Sequence, residues 1–279
     1  LRSYGMEDCK PADTPYAADR SKDDVGDLNM RRRNAQTERK EDLAKNDQED
    51  EKLDAEGKTL FQSVAAKLNF CALDRTDIQW GVKEVMRHMS DPSVVHENQL
   101  KRVLRYCQGR RRVIHTVPFE PLEESLTIFV DSNFAGCMDT RKSTSGGCIM
   151  WGSSMIKSWS KTQATIALSS GEAELGAVVK GATEALGMQA FLKDLGHDVK
   201  LHIRSDATAA IGMVKREGLG RVRHLATADL WVQQRVRSGD IAVSKVPGAD
   251  NPSDICTKGV DRGTIEKHLA NIMMILAVV

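Results

Sequence analysis

The sequence predicts an α/β domain on a five-stranded mixed sheet, with three antiparallel strands first and two parallel strands after helical crossovers. Three features carry that expectation. Apolar residues alternate at Leu126, Ile128 and Val130, and again at Leu201 and Ile203, the period of a half-buried strand. Gly152-Ser153-Ser154 separates two strand-like runs and reads as a hairpin. Leu175, Val178, Val179, Ala182 and Leu186 recur at helical spacing, so a long helix buries one face after the third strand.

Taken in order, 126–130 is the first strand, and 146–151 and 155–160 are the second and third. Ser169 stands three residues before Glu172, the spacing of a capping box, and starts the long helix. Residues 200–205 form the fourth strand and 207–215 a short helix. A further helix over 227–238 is stopped by Gly239. The fifth strand covers 241–246. Asn251-Pro252 then supplies an N-cap and a proline at the first helical position. The order is βββαβααβα, with no internal repeat.

A small helical region precedes this unit, over 59–121. Leu60, Val64 and Leu68 share a face, as do Ile78, Val82, Val85 and Met86, and then Leu100, Val103, Leu104 and Cys107. The last of these helices carries Lys101, Arg102 and Arg105 and runs into Arg110, Arg111 and Arg112. Such a cluster is either a phosphate-tracking edge or an ordinary solvated face. Residues 1–58 are a polar tail. From 19 to 56 charges of both signs crowd out large apolar residues, so this stretch is a linker or a solvated helix. Arg31-Arg32-Arg33 within it reads more simply as a solvated face than as a nucleic-acid contact. The folded chemistry lies in 122–262, and 263–279 is a terminal helix or tail.

Composition narrows the function classes. The formal net charge is only +1, so any case for a nucleic-acid partner rests on local clusters. The six cysteines show no Cys-x-x-Cys pair and the seven histidines complete no zinc pattern, which points to free thiols in a reducing compartment. The chain opens at Leu1 without a signal-peptide pattern, as a piece of a longer product would. The apolar run 272–279 is too short to span a membrane. An aromatic-x-Asp-Asp polymerase hairpin is missing: the one Asp-Asp pair, Asp23-Asp24, sits in a charged run.

Four carboxylates stand at different structural junctions. Asp131 closes the first strand, Glu174 lies in the first turns of the long helix, Asp206 follows the fourth strand, and Asp254 opens the last helix. Singly, an Asp at a strand end is a turn former and a Glu near a helix start is a capping partner. Together, on separate rigid elements, they can converge and hold divalent ions, which suits phosphodiester hydrolysis. Oxygen ligands are what a hard cation such as Mg²⁺ requires.

The motifs resemble a known family. Asp131-Ser-Asn-Phe-Ala-Gly136, Arg141-Lys-Ser-Thr-Ser-Gly-Gly147, Ser158-Trp-Ser-Lys-Thr-Gln163 and Ala167-Leu-Ser-Ser-Gly-Glu-Ala-Glu-Leu175 are similar to the ribonuclease H domain of copia-type retrotransposon Pol polyproteins. So are Ser205-Asp206, Arg223-His224 and Asp254-Ile-Cys-Thr-Lys258. Gly5-Met-Glu-Asp-Cys-Lys-Pro11 is similar to the segment just after the polymerase palm in these polyproteins, and Asp77-Ile78 and Arg102-Val-Leu-Arg-Tyr106 resemble the helical thumb and connection that precede the nuclease.

The resemblance implies a ribonuclease H-like fold and hydrolysis of the RNA strand of an RNA–DNA hybrid with two Mg²⁺ ions, Mn²⁺ being an alternative. Asp131 would bridge both ions, Glu174 and Asp206 would complete one site, and Asp254 would help hold the other. Glu172 competes for the metal role, but it fits the capping box, and Glu174 precedes Leu175 as the catalytic Glu does in related nucleases. Substrate contacts are implied at Ser143, Ser145, Lys161, Gln163 and Ser169, with Lys101, Arg105, Arg110 and Arg111 as a basic edge. His224 either reaches substrate or buttresses its helix. The implied partners are the hybrid and the polymerase portion of the same polyprotein, with no membrane. The implied setting is intracellular, in cytoplasmic element particles or the nucleus. The chain departs from the family at Asn133, Ala226, Ala228 and Leu230, and the loop 247–253 has no His. A decayed copy that only binds nucleic acid or a partner, and a nuclease acting on DNA alone, therefore stand as alternatives.

Overall fold

The computed structural model describes residues 2–16, 51–218 and 230–277. Arg31-Arg32-Arg33, residues 19–50 of the charged stretch, His224, Ala226, Ala228 and the expected helix start at Thr227 lie outside the described residues. Two units emerge, one containing the described residues up to Arg111 and the other built on Arg112–Lys258 and Arg262–Ala277.

Among its described residues, the first unit has three α-helices, α1 (Ala55–Cys71), α2 (Thr76–Met86) and α3 (Val94–Gly109), and a short 3₁₀ turn at Arg2–Tyr4. Asp54 caps α1, accepting from the Gly57 N–H at 2.7 Å. Phe61, Val64, Ala65 and Leu68 are the buried face of α1, rotated slightly from the stripe that Leu60 would begin. Ile78, Val82 and Val85 of α2 and Leu100, Val103 and Leu104 of α3 are buried as their spacing requires.

The second unit begins with β1 (Arg112–His115), followed by β2 (Ser125–Asn133), β3 (Thr144–Trp151) and β4 (Ser154–Thr162). Next come α4 (Ser170–Asp194), β5 (Lys200–Ser205), α5 (Thr208–Lys215), α6 (Trp231–Arg237) and β6 (Ile241–Lys245). A 3₁₀ turn (Pro252–Cys256), α7 (Arg262–Asn271) and β7 (Met274–Ala277) complete it. The main sheet has the order β4-β3-β2-β5-β6. β2, β3 and β4 pair antiparallel, while β2–β5 and β5–β6 pair parallel. This is the mixed five-stranded sheet of a ribonuclease H-like fold.

The core lies between this sheet and α4. Leu126, Ile128 and Val130 of β2 are fully buried, as are Ala177, Val178, Ala182 and Ala185 of α4. Burying one aliphatic side chain of the Val or Leu size contributes about 1.5–3 kcal/mol. Gly181 lets the helix approach: a Cβ there would come within 2.5 Å of Val130 Cγ1.

Three features differ from the sequence expectation. β2 runs on through Asp131 to Asn133, because β3 continues pairing as far as Thr144. β1 and β7 form a separate two-stranded antiparallel ladder, with Val113 opposite Leu276. These strands stand where helix and tail were expected, because four residues are too few to show a period. α6 is described from Trp231 and ends before Gly239.

Candidate metal centre

β2 and β5 run parallel with Phe129 opposite Arg204. Two residues further along the chain stand Asp131, on β2, and Asp206, just past the end of β5. The register therefore sets these carboxylates abreast at the carboxyl ends of neighbouring parallel strands, the place where open α/β sheets bind ligands. Glu174 arrives from above. It lies three and four residues before Ala177 and Val178, so it extends the buried stripe of α4 towards the sheet edge.

Glu172 points elsewhere. Its backbone N–H donates to Ser169 Oγ at 3.3 Å, and its carboxylate accepts from the Leu168 N–H at 2.9 Å. It thereby closes the N-terminus of α4. Asp131, Glu174 and Asp206 each offer one oxygen, and these oxygens all lie within 4.8 Å of one another.

The electrostatics follow from that crowding. Asp131 is 4% exposed, and burial, with the charge of Asp254 next, pushes its carboxyl up to about 6. Burial, then the charges of Asp131 and Asp206, raises Glu174 to about 8. Asp206 is raised by burial and by Asp131. Glu174 Oε2 is buried with no hydrogen-bond partner. Three carboxylates held together against their mutual repulsion, one of them with an unpartnered buried oxygen, fit a hard divalent cation.

Asp254 stands outside this group of three. Its Oδ1 pairs with Lys258 Nζ at 3.0 Å, one turn further along the chain. Lys258 loses solvation there, but the charges of Asp131, Asp254 and Asp206 outweigh that loss and hold its ammonium above the ordinary lysine value. Thr257 is fully buried, and its hydroxyl donates to Asp131 Oδ2. Asn251 Nδ2 donates to the Val130 carbonyl at 2.9 Å, which ties the 3₁₀ turn to β2 beside Asp131. Gly146, opposite Asp131 in the ladder, makes room for the turn: a Cβ there would come within 2.5 Å of Thr257 Cγ2. Sequence reasoning gave no role to Asn251 beyond its cap, nor any to Thr257 or Lys258. The spacing of four between Asp254 and Lys258 was the available signal for the ion pair.

The expected substrate residues fall into two groups. Ser143 and Ser145 are buried. The Ser143 hydroxyl accepts from the Ala135 N–H at 3.0 Å, and the Ser145 hydroxyl accepts from Gln163 Nε2 at 2.9 Å. Gln163 also donates to the Ala173 carbonyl at 2.8 Å, so it ties the hairpin to α4. The two serine hydroxyls and the Gln163 amide nitrogen are thus engaged in internal bonds, while Gln163 itself is half-buried. Lys161 and Ser169 are exposed.

In the other unit, Lys101 pairs with Glu97 at 2.7 Å and Arg105 Nε donates to the Lys10 carbonyl at 2.7 Å. Arg110 donates to the Gly109 carbonyl at 3.1 Å, and Arg111 is exposed. Lys101 and Arg105 thus each make a contact within their own unit.

A mixed sheet in this order, with a long helix covering it, is the architecture of a ribonuclease H-like fold. The chain is 28% identical over 271 residues, 95% of its length, to the retrovirus-related Pol polyprotein from transposon TNT 1-94 of Nicotiana tabacum. Its homologues include the retrovirus-related Pol polyproteins of plant transposons. It is 28% identical over 221 residues to the polyprotein from transposon RE2 of Arabidopsis thaliana, covering 78% of this chain. It spans only 19% and 15% of the lengths of those two relatives. It is also 32% identical over 134 residues, 45% of its length, to secreted RxLR effector protein 161 of Plasmopara viticola, of which it covers 88%.

No family model matches the chain. Among solved structures, the N-terminal RNase H domain of Rv2228c from Mycobacterium tuberculosis aligns with 48% of this chain and 91% of its own, at 14% identity and a TM-score of 0.35. LC11-RNase H1, solved in complex with an RNA/DNA hybrid, aligns with 48% and 94% at 12% identity and a TM-score of 0.32.

Proposed function

We propose that this chain is the nuclease portion of a transposon Pol polyprotein and hydrolyses the RNA strand of RNA–DNA hybrids in a divalent-metal-dependent reaction. The observation that carries the reading is the convergence of Asp131, Glu174 and Asp206 within 4.8 Å, with a buried, unpartnered oxygen on Glu174. Bound there, Mg²⁺ supplies charge stabilisation at the phosphoryl group and a water acidic enough to attack near neutral pH. The protein's part is positional. The β2–β5 register fixes two carboxylates, α4 sets the third, and Thr257 orients Asp131 through Oδ2. Preference for the ribose strand would come from its 2′-hydroxyls and from the shape of the minor groove. The polymerase portion of the same polyprotein would deliver the hybrid, inside intracellular element particles.

The departures at Ala226, Ala228 and Leu230 favour a second reading, a decayed copy that binds without cutting. One assay separates the two. With Mg²⁺ and a duplex labelled on the RNA strand, the wild type should release short RNA products while Asp131→Asn should not. Equal inertness of both proteins, with salt-sensitive binding retained, would establish the second reading. Cleavage of a DNA–DNA duplex at the same rate would instead remove the hybrid preference.

A further inference from the structure

Strand alternation gives the main sheet a second face, turned away from α4. Ile128, Val130, Ile203 and Val243 belong to the core on the helix side. The residues between them point the other way, among them Phe129 on β2, Lys200, His202 and Arg204 on β5, and Ser244 on β6. Towards β3 this second face is closed, since Cys148 and Met150 are buried. Over β2, β5 and β6 it is open: Phe129, His202, Arg204 and Ser244 are half-buried and Lys200 is exposed.

The open part is cationic. Lys200, His202 and Arg204 recur at every second residue, about 6.5 Å apart along the strand. β2, β5 and β6 place no acidic residue on this face short of Asp131 and Asp206 at its end. The Lys200 ammonium and the Arg204 guanidinium make no hydrogen bond or ion pair among the described residues, and Arg204 Nε is buried without an acceptor. His202 Nε2 lies 2.6 Å from Ser244 Oγ, which fixes the imidazole between the two cations. A half-buried guanidinium without an acceptor, on a face that carries no acid of its own, suits an anionic ligand. Phe129 stands opposite Arg204 and adds an aromatic surface beside it. Cations at regular intervals next to an aromatic ring suit a nucleic-acid strand, whose phosphates pair with the cations and whose bases stack. An acidic peptide would use the cations and leave Phe129 idle. We infer that this face of β2 and β5 is a second nucleic-acid site, which takes a single-stranded segment with phosphates at Lys200 and Arg204 and a base at Phe129. It is separate from the acidic centre and binds whether or not that centre cuts.

Fluorescence anisotropy of a labelled single-stranded oligothymidylate with the full chain, in EDTA, tests this. The wild type should bind with an affinity that falls as salt rises. Lys200→Gln combined with Arg204→Gln should weaken binding about tenfold and reduce the slope of log affinity against log salt by about 1.4, about 0.7 for each phosphate contact. Arg204→Lys should stay within about threefold of the wild type, and Phe129→Leu should lose about fivefold with the slope unchanged. Removing two charges elsewhere, at the exposed Lys67 and Lys193, should leave the affinity within about twofold. Equal losses from the two double variants, no binding by the wild type, or polyglutamate competing as strongly as unlabelled oligothymidylate would each overturn the inference. The last outcome would assign the face to an acidic protein. Should the double variant fail to fold by circular dichroism, Lys200→Gln decides: it should lose about threefold in affinity and about 0.7 in slope, and no change would overturn the inference. Asp131→Asn should bind as the wild type does, so an inert nuclease with intact binding would remove the hydrolytic reading and leave this site standing.

Discussion

Each unit sets a carboxylate near the start of a helix, Asp77 buried and Glu174 half-buried, and the two are treated in opposite ways. In the helical unit, Asp77 in the first turn of α2 has no exposed side-chain surface and is gripped by Arg75, with Nε and Nη2 at 2.8 and 2.6 Å from its two oxygens. Arg75 loses solvation, but its hydrogen bonds to Asp77 hold the guanidinium above its ordinary value. In the nuclease-like unit, Glu174 is flanked by Asp131 and Asp206, and its Oε2 has no partner. A buried charge that is matched at both oxygens serves the fold. A buried charge surrounded by its own sign lowers stability unless something positive arrives, and such placement marks a site.

The sharpest way to break this comparison is to exchange the glutamates of α4. Glu174→Gln should reduce hydrolysis of a labelled hybrid to background and leave the melting temperature unchanged or higher. Glu172→Gln should keep the activity and lose only cap stability, by about 0.5–1 kcal/mol. Activity lost from Glu172→Gln and retained in Glu174→Gln would reverse the assignment. The matched pair should behave in the other sense. Asp77→Asn leaves Arg75 buried and unpaired, so chemical denaturation should show a loss of about 3–5 kcal/mol in its unit. A loss below about 1 kcal/mol would mean that Arg75 finds water instead.

A smaller effect is expected at the tie between the 3₁₀ turn and β2. Asn251→Ala strands the buried Val130 carbonyl and should cost about 1–3 kcal/mol in denaturant titration. Activity should fall with it, since the turn carries Thr257. Retained stability would show that the turn is held by packing alone.

The smallest effect is a pH slope. Glu174 is raised from 4.5 to about 8, so between those values the native state binds more protons than the unfolded chain. Stability of the metal-free protein should therefore fall as pH rises through that window. Thermal melts in a chelator should show the decline, Glu174→Gln should flatten it, and added Mg²⁺ should oppose it. A stability that climbs across the same window would contradict the crowding of like charges.

Much of the sheet was legible because its strands carry period-two patterns and its hairpin carries turn residues. Leu126, Ile128 and Val130 name their strand without help, and Ser169 with Glu172 names the start of α4. Glu174 could be separated from Glu172 because two residues on a helix face different ways. The substrate-facing set was less legible. Ser143, Ser145 and Gln163 looked like surface polar groups, since a sequence does not show that Ser143 takes the Ala135 N–H or that Gln163 reaches Ser145. The sequence likewise does not show the contacts that Lys101 and Arg105 make with Glu97 and Lys10.

By itself the sequence determined which residues alternate, which cap and which are acidic, because periods of two and of 3.6 and capping chemistry are local. Only the tertiary structure decided that Asp131 and Asp206 stand abreast, since that depends on the register of two strands far apart in the chain. It alone set Lys258 against Asp254 beside Asp131, because the approach requires a glycine on a neighbouring strand and a bond from Asn251 to a distant carbonyl.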